Sequence, residues 1–232
     1  MTRFKSWRYA MDHADSSETQ VSTIDLQAVD AEQRVNLIRI SAIASFYLIH
    51  LWHMSVPSLS EGTAGMLGLE AGQSVPAGVH LSVTLLCLGW LMQAFAVHLM
   101  IAHRRVSNGL VTAVTVGDFV WLTAILCLSS GPAGPMVSGY FLILMLTGVR
   151  FNLRLVRVAT VVAAFSYLVL LGVTRWPLGI VEEIGLKTVP RYHQVMILVA
   201  IILSGVIVGQ IVRHAYLIAD AINQSPTTTE GT

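Results

Sequence analysis

Charge is what this chain of 232 residues has least of. Asp, Glu, Lys and Arg make up 12% of it, against about 25% in ordinary soluble domains. That scarcity excludes a water-facing surface around a single core, and it leaves no basic patch of the kind nucleic acid requires. Cysteine is scarcer still, at two residues. Cys127 is placed near one end of an apolar stretch and Cys87 about a third of the way down another. Their depths differ by roughly 10 Å, beyond the roughly 7 Å Cα limit for a bridge, so no disulfide is expected. Catalytic signatures are missing too: there is no Gly-x-x-x-x-Gly-Lys run, no His-Glu-x-x-His and no Cys-x-x-Cys. Between the apolar stretches nothing is long enough for a catalytic domain, and no enzyme is expected.

What the chain does have is apolar length. Hydrophobic residues are 54% of it, gathered into six segments: Leu37–Val56, Val79–Ala102, Leu110–Leu128, Met136–Val149, Leu155–Val173 and Gln194–Leu217. A hydrocarbon core about 30 Å thick takes roughly 20 apolar residues as helix, and most of the segments meet that length. The fourth is short and carries Gly139 and Gly148, which points to a central, protein-covered helix. Basic residues fall in alternate connections. Arg3, Lys5, Arg8, Arg34 and Arg39 precede or open the first segment. Arg104 and Arg105 follow the second, Arg150, Arg154 and Arg157 lie between the fourth and fifth, and Arg213 closes the sixth. The opposite connections hold only Arg175, Lys187 and Arg191. The positive-inside rule then places both termini in the cytoplasm. The predicted fold class is all-α: a polytopic membrane protein of six transmembrane helices in a bacterial cytoplasmic (inner) membrane.

Residues 1–34 read as a cytoplasmic tail, with a short helix over Ser22–Arg34 capped by Ser22. They mix both charge signs and lack the apolar run of a signal peptide. Residues 35–217 form the transmembrane domain, and 218–232 read as a disordered cytoplasmic tail. The outer connection from Pro57 to Gly78 is the longest. Ser129–Pro135 is a Gly/Pro turn that stops two helices.

Three constellations are candidates for function. His50 and His53 lie three apart on one helical face near the outer end of the first segment. His80 opens the second segment and His193 the sixth at the same depth. Four imidazoles meeting there would suit zinc, copper or haem iron, a proton, or a small ligand beside Phe46, Tyr47 and Trp52. Ordinary interfacial packing is the plain alternative. His98 or His103 with His214 offers a second, inner pairing for haem. Asp118 is the carboxylate well inside a segment, and a membrane-embedded carboxylate is functional by default unless it ties helices by hydrogen bonds; Ser166, Tyr167 and Gln93 are the expected partners. Ser204, Gly205 and Gly209 form a small-residue pattern that lets helices approach closely, within one chain or in a homodimer.

The segments Val116–Leu122, Ser130–Pro135, Gly139–Leu142 and Val149–Phe151, with Val189–Gln194 and Gly209–Arg213, resemble the six-helix membrane domains that precede bacterial class III adenylate/guanylate cyclases and membrane-bound kinases. The resemblance spans about Arg34 to Arg213 and implies a sensor or anchor domain. Fewer than twenty residues follow Arg213, without cyclase or kinase motifs. The effector would then be a separate cytoplasmic chain, or this chain is a fragment.

The resulting expectation is a non-catalytic sensory or regulatory module in the lipid bilayer. It would bind a small ligand, lipid or ion near its outer face through His50, His53, His80 and His193, as a homodimer or a subunit of a membrane complex, with no cofactor required. The alternatives are an electron-transfer subunit holding haem b, copper or zinc on the same histidines, and a structural subunit of a larger assembly.

Overall fold

The computed structural model describes residues 31–52, 77–103, 107–129, 131–176 and 189–224. Among them there is no strand. The helices are α1 (Ala31–Trp52), α2 (Ala77–Ala102), α3 (Asn108–Leu128), α4 (Ser138–Val149), α5 (Leu153–Arg175) and α6 (Arg191–Gln224). Five of these (α1, α2, α3, α5 and α6) are long and apolar enough to cross a membrane, as in a multi-pass membrane protein. The remaining apolar stretch, Pro135–Val149, begins as a short 3-10 turn and would rise only about 22 Å as helix.

The helix boundaries follow local chemistry. Ser107 caps α3, its hydroxyl accepting from the Leu110 N–H at 3.2 Å. Asn152 caps α5 by accepting from the amides of Arg154 and Leu155, which are orphan donors at any helix start. The chain reverses between α4 and α5 in three residues. This forces Phe151 to φ 48°, a region that bulky side chains rarely enter. Between α3 and α4, Gly131 takes φ 61°, where a side chain would be strained. The Gly/Pro turn is not an exposed cap on the bundle: Gly131 and Pro132 are buried, folded down against α3 and α5.

In the bundle, α2 packs on α3, α3 on α5, and α6 on both α4 and α5. The core sits where α3, α4 and α5 meet. Phe119 stacks on Tyr140 at 6.1 Å between ring centroids, and Tyr140 meets Tyr167 edge-on at 6.2 Å. Around them Leu122, Leu126, Leu144 and Leu170 are almost fully enclosed. The outer faces are apolar instead of charged, with Leu85, Phe95, Phe165, Val199 and Leu203 all exposed. Such a surface suits hydrocarbon and not water.

The structure departs from the expected boundaries at two places. Residues 31–34 are not part of a separate tail helix; they are the first turn of α1. The rest of the expected Ser22–Arg34 helix lies outside the described residues. The expected tail 218–232 is helical as far as Gln224. The reason is plain in the chain: Leu217, Ile218, Ala219, Ala221 and Ile222 favour helix, and the first breaker is Pro226.

Candidate functional site: a buried ionic network and a histidine pair

One face of α1 carries Glu32, Asn36 and Arg39, at spacings of four and three, followed by Ile43 a turn further on. All four are buried. This is the helical stripe that normally holds apolar residues, yet three of its positions are polar. Their partners explain it. Arg39 Nε lies 2.8 Å from Asp118 Oδ2 on α3, with the two side chains 3% and 4% exposed. Arg39 Nη1 donates to Asn36 Oδ1 at 2.9 Å, and Asn36 Nδ2 donates to the Ala94 carbonyl of α2 at 3.1 Å. Trp90 Nε1 donates to Asp118 Oδ1 at 2.9 Å, joined by Gln93 Nε2 at 3.3 Å. Gln93 Oε1 in turn accepts from Trp121 Nε1 at 2.8 Å.

Asp118 thus has both oxygens satisfied, by one cation and two neutral donors. Burying an unpaired charge at that depth costs several kcal/mol, and pairing offsets it. The hydrogen bonds come from Arg39, Trp90 and Gln93, and not from Ser166 or Tyr167. The Tyr167 hydroxyl has no hydrogen-bond partner among the described residues. Gln93 is the partner that sequence anticipated. Arg39 was legible only as a topology signal, although an arginine inside an apolar helix calls for a carboxylate, and Asp118 stands alone in depth.

A second ion pair lies toward the start of α1. Arg150, just past the end of α4, places Nε 2.8 Å from Glu32 Oε1. Its Nη2 donates to Glu32 Oε2 and its Nη1 to Thr115 Oγ1, each at 2.9 Å. Burial holds the Arg150 guanidinium below its ordinary value and the Glu32 carboxylate pulls it back up; arginine keeps its charge in proteins regardless. Four charges of alternating sign therefore bind α1 to α3 and to the α4–α5 turn.

At the other end of α1, His50 Nε2 and His80 Nδ1 on α2 are 3.2 Å apart. Their rings lie nearly parallel at 5.4 Å, and Tyr47 stands 6.5 Å from His50. Of the expected four-histidine set, the described residues bring His50 and His80 together. His193 opens α6 and faces Tyr192, while His53 lies outside the described residues. Of the inner histidines, His103 is exposed and its Nδ1 contacts the Leu99 carbonyl; His98 and His214 are exposed on α2 and α6. Among the described residues, no three His, Cys, Asp or Glu side chains cluster as a metal would need. Cys87 and Cys127 are free thiols.

The small-residue pattern on α6 faces α5. A Cβ at Gly205 would collide with the Thr160 side chain, whereas one at Gly209 would make only ordinary contact with Val156. Ser204 is half-buried beside it. At Gly148 a Cβ would meet Val208 at 2.6 Å, so α4 also depends on a bare backbone to approach α6.

Comparison with known proteins finds no matching family model, no matching curated protein and no matching solved structure.

Proposed function

We propose that this chain is a non-catalytic sensory or regulatory module of a bacterial inner membrane. Six helices cross it, both termini are cytoplasmic, and α1 and α2 form the sensing half while α6 forms the output. One observation carries the reading. At 34 residues, α6 is about 51 Å long, about 20 Å more than a hydrocarbon core of about 30 Å. Beyond Arg213 it still presents Leu217, Ile218 and Ile222, all more than half exposed. An apolar helical surface emerging from the Arg-rich end suits a partner helix or a second copy on the cytoplasmic side.

In this mechanism a small ligand or ion engages the His50–His80 contact. A change in that contact is a change in how α1 sits on α2. The ionic network makes α1, α2 and α3 move as one unit, because each is bonded to Asp118 or to Asn36. α3 and α5 share the core, and α5 carries α6. The phenol of Tyr216 on α6 donates to the Phe151 carbonyl of the α4–α5 turn, close in sequence to Arg150. Displacement of α1 therefore has a continuous packed route to the projecting part of α6.

The test is purification of the full chain from its native membrane, with and without Ile218→Ser and Ile222→Ser. Self-association or a co-purifying cytoplasmic protein that is lost in the double variant supports the reading. A strictly monomeric protein with no partner overturns it.

The histidine pair favours a second reading, a metal-holding subunit. Two imidazoles on one tetrahedral zinc, with Zn–N about 2.0–2.1 Å, put their nitrogens about 3.3–3.4 Å apart, close to what is seen here. Haem is less suited to this pair. Rings in direct contact leave no room for a macrocycle between them. An absorbance spectrum with elemental analysis separates the readings: stoichiometric copper or zinc lost in His50→Ala supports the metal, and a colourless, metal-free protein leaves the sensory module.

A further inference from the structure

α6 has two long sides. Ile201, Gly205, Val208 and Val212 are buried on one of them, where the helix packs on α4 and α5. At about 100° per residue, the residue standing opposite that line, about 140–180° round the helix from its members, is Gln210. Val199, Leu203, Val206 and Leu217 fall within about 40° of Gln210, and all four are about half exposed. Gln210 is exposed as well, and its side-chain amide makes no hydrogen bond among the described residues. Arg213 and His214 border the line, one on each side, and both are exposed.

We infer that this outward line of α6 seats a second copy of the chain, in a parallel two-fold helix pair with the two Gln210 amides bonded to each other. Two opposite mismatches lie on the one line. On the apolar side of Arg213, Gln210 turns two donors and an acceptor toward lipid, which returns no bond. Beyond Arg213, Leu217 turns an apolar side chain toward water. A single covering helix removes both, provided it is polar at the depth of Gln210 and apolar at the height of Leu217. A parallel copy of α6 meets that condition by symmetry. The amide is also self-complementary: across a two-fold axis each Gln210 donates one bond and accepts one.

The kind of tie follows from what this face lacks. Helices in lipid associate through small residues that let backbones approach, or through polar side chains. The small residues of α6 serve the monomer, with Gly205 against Thr160 on α5. Val199, Leu203 and Val206 hold a second backbone further off, which leaves Gln210 as the tie. One polar residue in an otherwise apolar seam also fixes register. The inference rests on the proposed reading of α6 as a membrane-crossing helix with Arg213 at its cytoplasmic boundary, and it names the partner that reading left open.

The experiment is oxidative cross-linking of the full chain in native membrane vesicles, with one cysteine added at a time and wild type as the baseline for Cys87 and Cys127. Leu203→Cys, Val206→Cys and Leu217→Cys should give a covalent dimer several-fold above Ile211→Cys, about 100° round the helix, and above Phe165→Cys on α5. Gln210→Leu, added to Leu203→Cys, should lower the association constant on the order of three- to tenfold, as expected for one interhelical polar contact. Cross-link yield across a range of protein-to-lipid ratios measures it, and Gln210→Asn should keep most of the association. Equal cross-linking at Ile211→Cys and Phe165→Cys would mean random collision and would overturn the inference, as would Gln210→Leu associating like wild type. A cross-link at Leu203→Cys or Leu217→Cys to a different protein would overturn the second copy and leave the proposed function standing. No adduct and no co-purifying protein would overturn both. Should Gln210→Leu insert poorly, the cross-link pattern of Leu203→Cys, Val206→Cys and Leu217→Cys against Ile211→Cys decides the matter.

Discussion

α1 and α6 are attached to the same bundle by opposite means. α1 presents charges and amides, and its position is set by directed bonds from Glu32, Asn36 and Arg39 to atoms on α2, α3 and the α4–α5 turn. α6 presents Ile201, Gly205, Val208 and Val212, and its position is set mainly by shape, with Gly205 against Thr160 and Val208 against Gly148, and by a single directed bond to the turn, from Tyr216 to the Phe151 carbonyl. In a bilayer, apolar faces gain little by leaving lipid for protein, so close backbone approach and hydrogen bonds are the available ties. The two helices divide them between them. Directed bonds fix register, because a one-turn slip leaves buried charges unpaired. Shape packing leaves a helix freer to turn or slide, which suits the output role proposed for α6.

That contrast is broken most severely at Arg39 and Asp118. Arg39→Met or Asp118→Leu alone is expected to destabilise by about 3–5 kcal/mol, because each leaves a buried uncompensated charge. The double variant should recover most of the loss. Thermal unfolding in a fixed detergent measures all three, and simple additivity of the single losses would mean that the pair is not coupled. Glu32→Gln should cost less, about 1.5–3 kcal/mol, since it weakens bonds to a charged group nearer the water. The loss should read out as freer motion of the start of α1, measured by a spin label at Gln33.

The shape side is probed at Gly205. Gly205→Ala is expected to cost about 1–3 kcal/mol by overpacking and to be partly relieved by Thr160→Ala; no relief would mean that the contact is not what holds α6. His50→Ala should have the smallest effect on stability, about 0.5–1.5 kcal/mol for one hydrogen bond, while removing any metal or ligand response. A large stability loss there, with no binding to lose, would recast the histidine pair as a structural latch.

The helical, membrane-embedded character was legible in the sequence because long apolar runs admit few structures in lipid. Asp118 was legible for a related reason, as a carboxylate where none is tolerated without cause. The polar stripe of α1 was hidden by a boundary. With the first span taken from Leu37 and Ser22–Arg34 taken as another helix, Glu32 and Arg39 fell on separate elements, and Arg39 was read for topology alone. A continuous helix from Ala31 puts Glu32, Asn36, Arg39 and Ile43 on one line, and that periodicity was present in the residues. The alignment of His50 with His80 was anticipated from depth, whereas the facing of Arg150 and Glu32, 118 positions apart in the chain, left no local trace.

Composition and hydrophobic periodicity by themselves determined that the chain is built of apolar helices, where most of them lie and which residues are costly to bury. They act over a few turns, and each segment carries its own signal. Which charge meets which, and which glycine meets which side chain, was decided only when the helices packed. Pairing is a property of two elements at once: Arg39 has no fixed partner until α3 brings Asp118 within 2.8 Å, and Gly205 has no purpose until Thr160 comes to lie across it.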